Sequence, residues 1–153
     1  MQRVNFGRAA LAGLAGTAVM TLLMLAAPMM GMPKMLIGEM LGNFLRIGSG
    51  AGWVMHALIG VVLALLYAGG VVGHLPGNRT LRGATYGFGV FLVAQLVVTP
   101  MMGGGVFSGG NVPMIMGSLL GHLVYGALVG TIYGEGVRLG ELARTQDGGH
   151  LAG

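Results

Sequence analysis

Long stretches of this chain carry no charge. Residues 9–33, 47–78 and 83–134 contain no Asp, Glu, Lys or Arg, and a helix needs roughly 20 apolar residues to cross the hydrocarbon of a bilayer. The last tract is long enough to cross, turn and cross again. Four crossing helices are therefore predicted, at 9–29, 51–73, 83–102 and 114–134. The first has a longer apolar run than the core of a secretory leader, so it reads as a retained helix.

Between the first two crossings the period changes. In 35–46 apolar pairs recur at 36–37, 40–41 and 44–45, while Glu39, Asn43 and Arg46 take the opposite face. Short length and mixed charge make this an amphipathic helix in the interface, its apolar side in lipid or on the bundle, rather than a fifth crossing. The matching connector, 103–111, is rich in glycine and has no such stripe. It reads as a flexible external turn. The fold class is accordingly all-α: a polytopic membrane protein with a four-helix bundle as a single domain over 1–153, a first helix pair at 7–73, a second at 79–136, and a polar tail at 137–153.

Composition sharpens this picture without changing it. With 54% hydrophobic residues, 8% charged residues and a mean hydropathy of +0.81, the chain has no use for water on most of its surface. Arg3, Arg8, Arg79, Arg82, Arg138 and Arg144 fall on one side of the predicted topology, and Lys34 and Arg46 on the other. That bias predicts a multi-pass protein of a prokaryotic inner membrane with both termini and the middle loop in the cytoplasm. The net charge of +4 is spread thinly at helix ends, with no dense basic patch interleaved with aromatics, so nucleic acid is not an expected partner. The absence of cysteine excludes disulfides, iron–sulfur clusters and thiolate chemistry.

A pattern occurs twice. Pro28-Met29-Met30-Gly31 is followed by His56, Gly60 and Tyr67, and Pro100-Met101-Met102-Gly103 by His122, Gly126 and Tyr133. Two similar helix pairs would enter the membrane in the same orientation and place both histidines at one depth. Each histidine lies on a line of residues four apart: Gly48, Gly52, His56, Gly60, Ala64 and Ala68 in one helix, and Ser118, His122, Gly126, Gly130 and Gly134 in the other. Such small-residue lines are packing surfaces in membranes. The plain expectation is that these two helices pack tightly on these faces, each imidazole filling the wider end of a groove and bonded to a neighbour such as Gln95, Thr99, Thr17 or Thr21.

The same geometry permits chemistry. Two imidazoles at equal depth, with Gly60 and Gly126 a turn away to admit a flat macrocycle, would suit one bis-histidine haem b, and His56, His122, Gly60 and Gly126 are the candidate cofactor residues. Met29, Met30, Met32, Met35, Met55, Met101, Met102, Met114 and Met116 fall toward the same side. Thioethers and imidazoles together suit copper(I), with His56 and His122 again as the metal ligands, although methionine is also a soft filler of gaps left by glycine. Tyr67 and Tyr133 are expected to anchor the opposite interface, Trp53 the near one, and His74 to be solvated.

Several enzyme classes find no support. Metalloprotease, nucleophile-elbow and nucleotide-loop motifs are missing, and the acidic residues Glu39, Glu135, Glu141 and Asp147 all lie outside the crossings. Gly13-Leu14-Ala15-Gly16-Thr17-Ala18-Val19-Met20-Thr21, running on to Pro28-Met29-Met30-Gly31-Met32-Pro33, with Gly52-Trp53 before His56 and Gly121-His122 before Tyr125-Gly126, resembles a family of uncharacterised prokaryotic four-helix membrane proteins. The resemblance covers roughly 7–136 and implies the four-crossing fold but no activity. The leading functional expectation is a non-enzymatic accessory or structural subunit of a membrane assembly. It rests on glycine-lined surfaces, including Gly13, Gly16, Gly83 and Gly87, that would serve self-association or docking. A haem b electron carrier and a copper-binding or transport protein are the alternatives.

Overall fold

The structure, a computed structural model, describes residues 4–149, and for 135–149 the helical backbone alone. Among the described residues five helices exceed two turns: α1 (Phe6–Ala26), α2 (Ile37–Leu45), α3 (Gly48–Leu66), α4 (Arg79–Val93) and α5 (Val112–Gly149). Short irregular turns extend three of them, so that four are long and apolar enough to cross a membrane: Phe6–Met30, Gly48–Val71, Arg79–Met101 and Val112–Gly134. No strand occurs among the described residues. Each crossing begins two to four residues before the predicted start. At α1 and α4 the reason is an asparagine cap: Asn5 accepts from the Arg8 amide at 3.0 Å and Asn78 from the Leu81 amide at 2.9 Å, satisfying orphan donors ahead of the apolar tract. The stretch expected to be a polar tail continues α5 as helix to Gly149.

The repeated Pro-Met-Met-Gly motif ends a helix in both halves. Pro28 and Pro100 each open a last tight turn, and the amides of Gly31 and Gly103 donate back to the proline carbonyls at 3.1 and 3.0 Å. Both glycines then adopt positive φ, 80° and 84°, where a side chain would be strained.

Helix packing follows glycine. In the first half a Cβ on Gly13 would meet Val61 and Ala64 at 2.9 Å, and one on Gly60 would strike the Thr17 hydroxyl. In the second half Gly126 faces the backbone of Gly83 and Gly87, and Gly130 that of Arg79 and Gly83. Each small-residue line thus packs on the other crossing helix of its own pair: α3 on α1, and α5 on α4. Both histidine helices pack on their small-residue faces as expected, each against a partner within its own pair. The pairs meet along α1 and α5, where Gly16 lies against the Tyr125 ring and Arg8 Nε donates to the Ile132 carbonyl at 2.9 Å.

The crossing helices therefore stand in the order α3, α1, α5, α4, wrapped so that α3 and α4 close the circuit without packing closely. A hydrogen bond joins them, the Tyr86 hydroxyl donating to the Leu63 carbonyl at 2.8 Å. It lies toward the end of the bundle that carries Arg8, Arg79 and Arg82, here called the arginine end; His56 and His122 lie toward the other. Tyr67 and Tyr133, expected at an interface, are instead core: they are 0% and 4% exposed, and the Tyr67 ring meets Tyr86 at 5.2 Å and Tyr133 at 6.4 Å. Aromatic rings fill the volume that glycine lines leave between helices.

At the histidine end, α2 is docked on the first turns of α3. Gly38 lies under the Trp53 indole, Gly42 beside the Gly48 carbonyl, and Gly52 against the Gly38 carbonyl. Trp53 thus clamps α2 as well as standing near the interface. The second connector folds back onto the bundle: Phe107 and Ser108 hold left-handed backbone at φ 47° and 52°, the Ser108 hydroxyl donates to Gln95 Oε1 at 3.0 Å, and the Phe107 ring lies 6.2 Å from Phe91. Glycines at 103, 105, 109 and 110, all at positive φ, let it coil this tightly.

Candidate functional site: a two-histidine cavity

Because α3 and α4 do not pack, a space is left inside the bundle. It is a cavity of about 350 Å³. Its walls come from every helix: Thr17, Met20 and Met24 of α1, Ile37, Met40 and Leu41 of α2, His56, Ile59 and Leu63 of α3, Val90, Ala94 and Gln95 of α4, and Ser118, His122 and Tyr125 of α5. Both predicted histidines line this one cavity.

The two imidazoles are presented differently. His122 Nδ1 lies 2.7 Å from the Ser118 carbonyl, which can only accept, so Nδ1 carries the proton and Nε2 of the neutral ring is a bare acceptor. His56 Nε2 is buried with no hydrogen-bond partner. Its ring is braced by Trp53, edge-on at 6.4 Å, while Phe91 stands edge-on to His122 at 6.1 Å. None of the polar side chains expected to pair with the histidines does so: Thr17 donates to the Gly13 carbonyl at 2.8 Å and Gln95 accepts from Ser108.

The candidate glycines separate. Gly60 borders the cavity, but its bare face is spent against Thr17 and Gly13. Gly126 is turned away into α4, so the paired approach of two glycines to a macrocycle is not what the fold builds. The outer methionines also disperse. Met29, Met30, Met101 and Met116 are 89%, 63%, 64% and 54% exposed, away from the cavity, whereas Met35, Met102 and Met114 line it. Met32 and Met35 sulfurs cover Gly117 and Met20 covers Gly121, the gap-filling role that glycine invites. His74 is exposed, its Nδ1 on the Gly70 carbonyl at 2.7 Å, as expected of a solvated residue.

Tyr125 carries more of the site than the sequence suggested. Tyr125 spans from α5 to α3, donating to the Gly60 carbonyl at 2.5 Å, and its ring forms the cavity floor toward the arginine end. Its only signal was a tyrosine three residues after His122, on the same helical face. A wide π-turn at Ala94–Val98 continues α4, and within it Gln95 is buried, 2% exposed. Such turns re-aim side chains at sites, and no residue pattern announced this one.

These features define a multi-pass membrane bundle enclosing an apolar, two-histidine cavity. The chain belongs to the family of unknown function DUF6789, whose model matches residues 3–138. No curated protein and no solved structure matches it.

Proposed function

We propose that this chain is a binding protein for a lipid-soluble small molecule, held at the histidine end with His56 and His122 as its polar contacts. The observation that carries this reading is the unsatisfied His56 Nε2 beside an apolar cavity that His122 also faces. A buried polar atom without a partner costs about 1–3 kcal/mol, and a ligand hydrogen bond offsets that cost. An apolar pocket with a few convergent polar groups is the usual form of a small-molecule site. The glycines expected to serve docking, Gly13, Gly16, Gly83 and Gly87, meet neighbours inside the bundle, so an accessory-subunit role would draw on other surfaces. Extraction of the purified protein into organic solvent, followed by mass analysis, tests the proposal. A molecule should accompany the wild type and be lost from Ala94→Phe, which fills the cavity; equal recovery from both proteins would defeat the reading.

The second reading is haem b, favoured by His122 Nε2 being free for axial ligation. Against it, the cavity lining includes no Lys or Arg to meet two propionates. A Soret band that disappears in His56→Ala/His122→Ala would establish it. A copper(I) site would draw on the same imidazoles with Met35, Met102 or Met114. In orientation, we propose the arginine end as cytoplasmic, on the strength of the basic bias. Cysteines introduced at Val106 and Gly148 of this cysteine-free chain should label from outside and only after lysis, respectively.

A further inference from the structure

The geometry points to a quinol of the membrane pool as the ligand: a flat dihydroxy-aromatic ring held between His122 and His56, its hydrocarbon tail leaving through the seam between α3 and α4. This rests on the cavity reading above and names the ligand class.

Four observations converge. First, the bare Nε2 of His122 accepts, so the ligand must present a donor there, and a hydroxyl is a neutral group that does so. Second, the unpartnered Nε2 of His56 calls for a further polar atom on the same molecule. A sterol or long-chain alcohol, with one hydroxyl, would have to bridge both imidazoles through that single oxygen, whereas a dihydroxy ring offers each its own. Third, no charged side chain lines the cavity, which disfavours carboxylates and phosphates, and thioethers such as Met24, Met40, Met102 and Met114 favour an aromatic face between the histidines. Fourth, the cavity has a route to lipid. Ile59 of α3 and Val93 and Val98 of α4 line it and yet are 39%, 57% and 41% exposed. They form the rim of an opening between two helices that do not pack, and this rim is apolar, as an alkyl tail requires.

The chain supplies its own reporter. Trp53 is the single tryptophan, and its ring lies 6.4 Å from that of His56, within range of quenching by a quinone bound there. In nanodiscs of zwitterionic lipid, decylubiquinone should quench Trp53 saturably at about one molecule per chain, as a single site requires. Its reduced quinol should displace it with about tenfold higher affinity, because only the quinol donates to His122. His122→Leu should remove that preference, and His122→Gln, which keeps an accepting oxygen, should retain it. Quenching that rises linearly with concentration and is unchanged in Ala94→Phe, or equal affinity for quinone and quinol, would overturn the proposal. A co-purifying apolar molecule without paired oxygens, or a histidine-dependent Soret band, would overturn the quinol while leaving the cavity reading intact. If Ala94→Phe changes nothing that binds, both fall.

Discussion

A single methyl group separates two kinds of glycine in this protein. A Cβ on Gly126 would strike the Gly83 carbonyl and come within 2.8 Å of Gly87 backbone, neither of which can yield without parting α4 from α5. Gly126→Ala should therefore destabilise by about 1–3 kcal/mol, the usual cost of overpacking. Gly89, in the same apolar tract, meets nothing within 4 Å. Gly89→Ala should be neutral or stabilise by up to about 1 kcal/mol through helix propensity. Unfolding by SDS titration in mixed micelles measures both, and equal loss would mean that α4 and α5 do not meet as described. Tyr125→Phe removes the bond to the Gly60 carbonyl and should cost about 0.6 kcal/mol, the average for interhelical bonds in lipid. At this scale the sequence was half legible. That Gly60 and Gly126 pack helices could be read from their spacing, but which helix they pack on could not, because a line of small residues is complementary to any other such line. The histidines' shared cavity was likewise readable as equal depth, whereas the bond from His122 to a backbone carbonyl leaves no mark in residue identity.

Elements were more legible than contacts, since charge-free tracts and a helix-period stripe are one-dimensional signals of one-dimensional objects. The crossings and α2 lie close to where hydropathy puts them. What escaped was irregular backbone. The π-turns at Tyr67–Val71 and Ala94–Val98 sit in plain apolar sequence, and the folded 103–111 connector carries the glycine content of a loose one. Tyr67 and Tyr133 were misplaced because tyrosine near a helix end fits an interface and a wide bundle core equally well. The docking of α2 gives the element-scale prediction. Gly38 lies beneath the indole of Trp53 with no room for a side chain, so Gly38→Leu should lift α2 from α3 and expose Trp53. Its emission should shift to the red, with the helical circular dichroism nearly unchanged. An unshifted spectrum would show that α2 does not dock on α3 through this contact.

For the molecule as a whole, the order α3, α1, α5, α4 joins the two pairs through α1 and α5 and leaves the seam on the opposite side. A nitroxide on Val93, at the rim, should be accessible to oxygen dissolved in lipid, and one on Ala64, buried at 0% exposure, should not. Equal accessibility would show the seam closed or the packing order wrong. The seam also has unequal ends. At the arginine end α3 and α4 are tied by the short connection running from Val71 to Arg79 and by the Tyr86 hydroxyl on the Leu63 carbonyl. At the histidine end they are separated in sequence by both helices and joined by no comparable bond among the described residues. The pair therefore has the mechanics of forceps: jaws sprung from one end, with a gape that grows with distance from the joint. A rigid head group would be admitted only near the tips and gripped more tightly as it moves inward, and lengthening the connection at Gly77 should slacken the grip without touching a residue of the cavity.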